Sequence, residues 1–191
     1  MQRLFVHDDV FDAFVDRLTA AARGLRLGDP LDPETDLGPM VDEKAALRTQ
    51  SWVEEAVAMG GRVLLGGVAD GTFFPPTILA DAPVEAKVCS DEAFAPVVVL
   101  FRFSDFDDAI RRVNASHFGL QAGVFTNDLA NAFAAFEELE VGGVILNDIP
   151  TYRIDHMPYG GVKDSGLGRE GLRHAIEDMT EIRILVVAQP G

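Results

Sequence analysis

A chain of 191 residues with 48% hydrophobic side chains holds enough apolar material for one packed domain, which excludes the disordered class. Its 31 acidic against 16 basic residues leave a net charge of -15, which repels phosphate backbones and anionic lipid, so no nucleic acid and no membrane is expected as a partner. One cysteine excludes an internal disulfide framework, and with no leader pattern or long apolar span in the sequence the expected setting is cytoplasmic.

Leu4-Phe5-Val6 is a short apolar run, and Asp8 behind it is placed to cap a helix. In that helix Val10, Phe11, Phe14, Val15, Leu18, Ala21, Ala22 and Leu25 recur at three- and four-residue steps. A turn-rich connection from Gly28 to Pro39 follows, then a second helix over about 41–59 that stops at Gly60-Gly61. Val63 to Leu65 and Thr77 to Leu79 predict short strands. The continuous run Val97-Val98-Val99-Leu100-Phe101 predicts a strand buried on both faces. Ser104 starts the next helix, with Asp107 in a capping-box-like position. After it come a strand over Gln121 to Thr126, a helix over 128–139, a strand from Gly143 to Leu146, a helix over 168–178, and a final strand from Ile182 to Val187.

This alternation predicts an α/β fold with a mainly parallel sheet covered by helices, because parallel neighbours require long crossover connections. Ligands in such sheets sit beyond the carboxyl ends of strands. The stretch from Asp148 to Gly168 follows a strand and shows no obvious structure, so it is expected to line a site.

Two motifs carry a more specific message. Glu92-Ala93-Phe94-Ala95-Pro96-Val97 and the later Pro158-Tyr159-Gly160-Gly161-Val162-Lys163-Asp164-Ser165-Gly166-Leu167-Gly168-Arg169-Glu170 stand in an order and spacing that resemble the C-terminal catalytic-domain part of the aldehyde dehydrogenase superfamily. The resemblance runs from Gln2-Arg3 to Ile184. It implies NAD or NADP as cofactor, a small-molecule aldehyde as substrate, and oxidation through a thiohemiacetal, hydride transfer and thioester hydrolysis. Residues 1–180 would be the catalytic-domain portion. Residues 181–191 would be a strand and tail that join a second copy or a longer dehydrogenase chain, giving a homo-oligomer. By the same resemblance the family's nucleophilic cysteine falls just before the position of Met1, with its general base and most of its dinucleotide domain further upstream. The chain is then expected to be a truncated gene model, a split gene or a deliberate domain, inactive when isolated and with no catalytic residue of its own.

The resemblance assigns Glu92 to the nicotinamide ribose hydroxyls, which an ionised carboxylate can accept from together, and Phe94 to packing near the nicotinamide. Ala95 stands where many members have glycine, which would tighten the loop. Tyr159 matches an aromatic that walls the aldehyde tunnel, with Gly160 and Gly161 expected to turn the backbone behind it through positive φ. Arg153 lies in a stretch that varies with the aldehyde; its planar fork suits a substrate carboxylate or phosphate, or pairing with Asp155 or Asp148 as scaffold. Cys89 is in the wrong place for the nucleophile and reads as a buried, inert thiol. His156 beside Asp155 lacks a G-x-S-x-G partner, Gly166 and Gly168 form no phosphate cradle, and the scattered histidines offer no metal-ligand spacing. A rival from another class remains: a non-catalytic binding or assembly module derived from the same family.

Overall fold

The computed structural model describes residues 2–189, and the chain divides into two compact units, Met1–Ala109 and Ile110–Gly191. In the first unit, β1 (Arg3–His7), β2 (Arg62–Leu65), β3 (Thr77–Ala80) and β4 (Val97–Phe103) form one sheet in the order β1-β4-β3-β2. Strand β4 runs parallel to both β1 and β3, and β2 is the antiparallel edge. Its continuous apolar run has a direct cause. Val97, Val99 and Phe101 enter one core with Ala46, Val53, Ala56 and Leu79, while Leu100 enters the opposite core with Val6, Phe11, Ile78 and Ala80. A strand covered on both faces has no polar side to display.

Helix α1 (Asp8–Arg23) supplies the second of these cores through Phe11, Phe14, Val15, Leu18 and Ala22; Val10 and Leu25 of the predicted stripe stay exposed. Helix α2 (Glu43–Ala58) supplies the first, capped by Asp42, whose carboxylate accepts from the Ala45 N–H at 2.6 Å. A short helix, α3 (Lys87–Ser90), follows β3 and was not anticipated; four residues are too few for a periodic signal. Two caps differ from expectation. The His7 imidazole caps α1, with Asp8 as the first helical residue, because His7 ends β1 in extended geometry. Before α4 (Phe106–Asn114), Asp105 accepts from the Asp108 N–H at 2.7 Å, one residue later than Ser104 would.

In the second unit β6 (Gln121–Val124) and β7 (Gly143–Leu146) pair in parallel across α5 (Leu129–Glu138). Ala132 and Ala135 are the buried face of that helix. The segment expected to be structureless contains β8 (Val162–Lys163), which pairs antiparallel with β5 (Phe118–Gly119); two-residue strands leave no pattern in a sequence. Helix α6 (Leu172–Asp178) begins four residues later than predicted. Gly166, Gly168 and Gly171 all hold positive φ, which keeps the chain in turns until Leu172. The final strand does not form among the described residues. Ile182 to Val187 lies outside any sheet, with Ile182 96% and Val187 78% exposed. Its β-branched composition favours a strand, but a strand also needs an edge to pair with. No helix among the described residues is long and apolar enough to cross a membrane.

Candidate functional site

In the first unit the loop between α3 and β4 carries Glu92 and Phe94. Both side chains are exposed, Phe94 at 82%, whereas Ala93 between them is buried. The loop is held by long-range hydrogen bonds. The Gln2 carboxamide donates to the Val88 and Asp91 carbonyls at 2.7 Å each and accepts from the Ala93 N–H at 3.0 Å. Arg48, stacked over the Trp52 ring at 5.3 Å, donates to the Ala93 carbonyl at 3.3 Å. At the loop's far end the Pro96 carbonyl accepts from the Thr77 N–H at 2.8 Å.

This restraint explains the conformation of Phe94, which has φ of 48°. A non-glycine residue in the left-handed region costs on the order of 1–3 kcal/mol and persists only where its surroundings fix it. Ala95 is not among the left-handed residues and packs against the core, so its methyl adds no backbone strain. None of the described residues forms an ion pair with the Glu92 carboxylate, which leaves its oxygens open to hydroxyl donors. An exposed carboxylate can accept from paired hydroxyls, and an exposed ring beside it can stack on a planar group.

Cys89 sits just behind the loop, buried, with its thiol pushed up to about 11 chiefly by burial; the nearby Arg3 guanidinium opposes that shift and Glu85 adds to it. Burial also lowers the pKa of Arg3. A thiol in this state is protonated at neutral pH.

In the second unit Tyr159 and Arg153 come together. The Tyr159 and Glu170 backbones bond reciprocally, at 3.1 and 2.6 Å, and Arg153 reaches over both residues. Its Cζ lies 4.8 Å from the Tyr159 ring centroid and its Nη2 2.8 Å from Glu170 Oε2. Arg153 therefore pairs with Glu170 rather than with Asp155 or Asp148. Sequence reasoning missed Glu170 because only the turn through Gly166 and Gly168 brings it back beside Tyr159.

Gly160 and Gly161 are required for a reason other than the one expected. Neither has positive φ; a Cβ on Gly160 would lie 2.8 Å from the Gly168 carbonyl oxygen, so the need is close backbone approach. The polar residues of the same motif serve the scaffold. Lys163 donates to the Asn114 and Ser116 carbonyls, Arg169 to those of Gly161 and Gly168, and the Ser165 hydroxyl accepts from the Gly119 N–H. That engagement gives Ser165 a structural role. Among the described residues no group of three or more His, Cys, Asp or Glu side chains is placed to hold a metal ion.

The α/β fold of this chain is that of aldehyde dehydrogenases of known structure. The chain matches the crystal structure of aldehyde dehydrogenase 21 from Physcomitrella patens, in complex with the reaction product succinate, with a TM-score of 0.95 at 50% identity over 98% of this chain and 39% of that one. It matches the glyceraldehyde-3-phosphate dehydrogenase GapN from Methanocaldococcus jannaschii, complexed with NADP, at TM-score 0.93 and 38% identity, covering 98% and 41% of the two chains. In sequence it is 50% identical to 3-sulfolactaldehyde dehydrogenase from Priestia megaterium over 98% of this chain and 39% of that protein. The chain belongs to the aldehyde dehydrogenase family, whose description matches residues 1–185. It spans about two fifths of the length of these relatives.

Proposed function

We propose that this chain is a portion of an NAD(P)-dependent aldehyde dehydrogenase that oxidises an aldehyde bearing an anionic group. Glu92 and Phe94 receive the nicotinamide ribose and ring, and Tyr159 and Arg153 face the substrate. The bound NAD or NADP supplies the hydride acceptor. The observation that carries the cofactor half is the clamped loop, which buries Ala93 and leaves Glu92 and Phe94 presented.

Arg153 carries the substrate half. An exposed ion pair such as Arg153–Glu170 is worth only about 0–1 kcal/mol, so a substrate anion can share the guanidinium without a large loss. Stacking on Tyr159 holds the guanidinium plane while donors outside the Glu170 bond stay free. The three relatives above are named for, or bound to, a sulfonate, a carboxylate and a phosphate, and one planar donor fork can serve each of these anions.

The test is substrate discrimination in a polypeptide that carries this chain at full dehydrogenase length. Arg153→Gln should raise KM for an aldehyde bearing a carboxylate or sulfonate by about tenfold and leave an uncharged aldehyde of equal length unaffected, since charge-assisted bonds exceed neutral ones by about that much. Equal effects on both aldehydes would remove Arg153 from the site.

A second reading, an assembly module, is favoured by one specific observation. Ile182, Ile184, Leu185, Val186 and Val187 are all exposed in an unpaired segment, and Phe133 and Phe136 of α5 are exposed as well. Apolar surface of this kind drives association. Sedimentation of the chain should show dimers or larger species that deletion of residues 181–191 weakens. A monomer at high micromolar concentration, unaltered by the deletion, would dispose of this reading.

A further inference from the structure

We propose that Gln2 is the positioning residue of the cofactor loop: its carboxamide fixes the Ala93 peptide and thereby sets where Glu92 and Phe94 are presented. What the loop presents them to rests on the function proposed above. The clamp itself rests on geometry. One side chain uses its oxygen and its amide nitrogen in three hydrogen bonds, to residues 86 to 91 positions away in the sequence.

The anchor is rigid. The backbone carbonyl of Gln2 accepts from the Val99 N–H at 2.8 Å, which ties Gln2 to β4, the strand buried on both faces. Ala93 is buried and held at two points, its N–H by Gln2 and its carbonyl by Arg48. The residues either side of it are the two exposed ones, and one of them, Phe94, occupies the left-handed region. Released from Gln2, the Phe94 backbone can relax toward an extended geometry, which would swing both side chains. Supporting α3 alone would need only the bonds to Val88 and Asp91. The third bond, to Ala93, lies between the two presented side chains.

Amide hydrogen exchange followed by NMR tests this on the 191-residue chain. Gln2→Met keeps the length of the side chain and removes the strong donors and acceptor; Gln2→Glu keeps an acceptor for the Ala93 N–H and loses both donations. Exchange at Ala93 should accelerate at least about tenfold in Gln2→Met, with Val99 and Leu100 unchanged and intermediate behaviour in Gln2→Glu. Unchanged exchange at Ala93, or equal acceleration at Val99 and Leu100, overturns the proposal. The second arm is kinetic, in a polypeptide of full dehydrogenase length. There Gln2→Met should raise KM for NAD(P) about tenfold with a smaller change in kcat, partly restored by Gln2→Glu. Faster exchange at Ala93 with an unaltered KM for NAD(P) leaves the clamp in place and removes the ribose role of Glu92. A raised KM with Ala93 still protected overturns the clamp.

Discussion

The 191-residue chain alone is expected to reduce no NAD(P) in the presence of any aldehyde, and Cys89→Ala is expected to leave that result unchanged. Covalent aldehyde oxidation needs a thiolate, and removal of a catalytic nucleophile can cost on the order of 10⁶ in rate. Cys89 cannot supply one. Its thiol, pushed up to about 11, is only about 0.1% ionised at pH 8 against roughly 10% for an unperturbed thiol near 9. Alkylation by iodoacetamide at pH 8 should accordingly run roughly a hundredfold slower in the folded chain than in urea. The same shift makes stability depend on pH with a defined sign. Because the folded pKa is raised above the unfolded one, the contribution is complete below about pH 9 and is lost as pH rises toward 11. That loss is on the order of 2–3 kcal/mol and should be absent in Cys89→Ala. Aldehyde-dependent growth of reduced-nicotinamide absorbance that disappears in Cys89→Ala would overturn the argument, as would alkylation at the rate of a free thiol.

The parts of this protein that were legible in its sequence are those where a local pattern has a single structural cause. The Val97 to Phe101 run is apolar throughout because β4 is covered on both faces, and the stripe from Phe11 to Ala22 is spaced as it is because α1 packs on one side of the same sheet. The final strand does not form within the single chain, for the complementary reason. Ile182 to Val187 has strand composition, yet pairing depends on an available edge, which composition does not encode. The candidate site divides in the same way. Glu92, Phe94 and Tyr159 are candidates because their motifs resemble those of the family, and Arg153 because it lies in the stretch that varies with the aldehyde. The groups that position them could not be picked out. Gln2 acts across more than eighty residues, and Glu170 reaches Arg153 through a turn made by glycines whose φ values no sequence displays. Long-range satisfaction of loop backbone groups is a property of the folded chain.

Glu92→Gln offers the sharpest single test of the cofactor reading, in a polypeptide of full dehydrogenase length. The substitution conserves shape, and because Glu92 is exposed and unpaired among the described residues it should leave the fold intact. What changes is acceptor strength. An ionised carboxylate can take both ribose hydroxyls, whereas the amide offers one weaker oxygen and a pair of donors facing other donors. Hydrogen bonds to charged groups contribute about 1.5–3 kcal/mol, so the cofactor-dependent step should fall by about ten- to a hundredfold. The loss should divide in a recognisable way. If Glu92 holds the ribose equally in ground and transition states, KM for NAD(P) rises and kcat is kept; if it orients the nicotinamide only as hydride moves, kcat falls and the cofactor dissociation constant stays. Phe94→Leu, which removes the ring and keeps apolar bulk, should weaken the same step less, because the carboxylate still fixes the ribose. Wild-type kinetics and cofactor affinity in Glu92→Gln would return that carboxylate to the solvated acids of an acidic surface, and the clamped loop would then require another ligand.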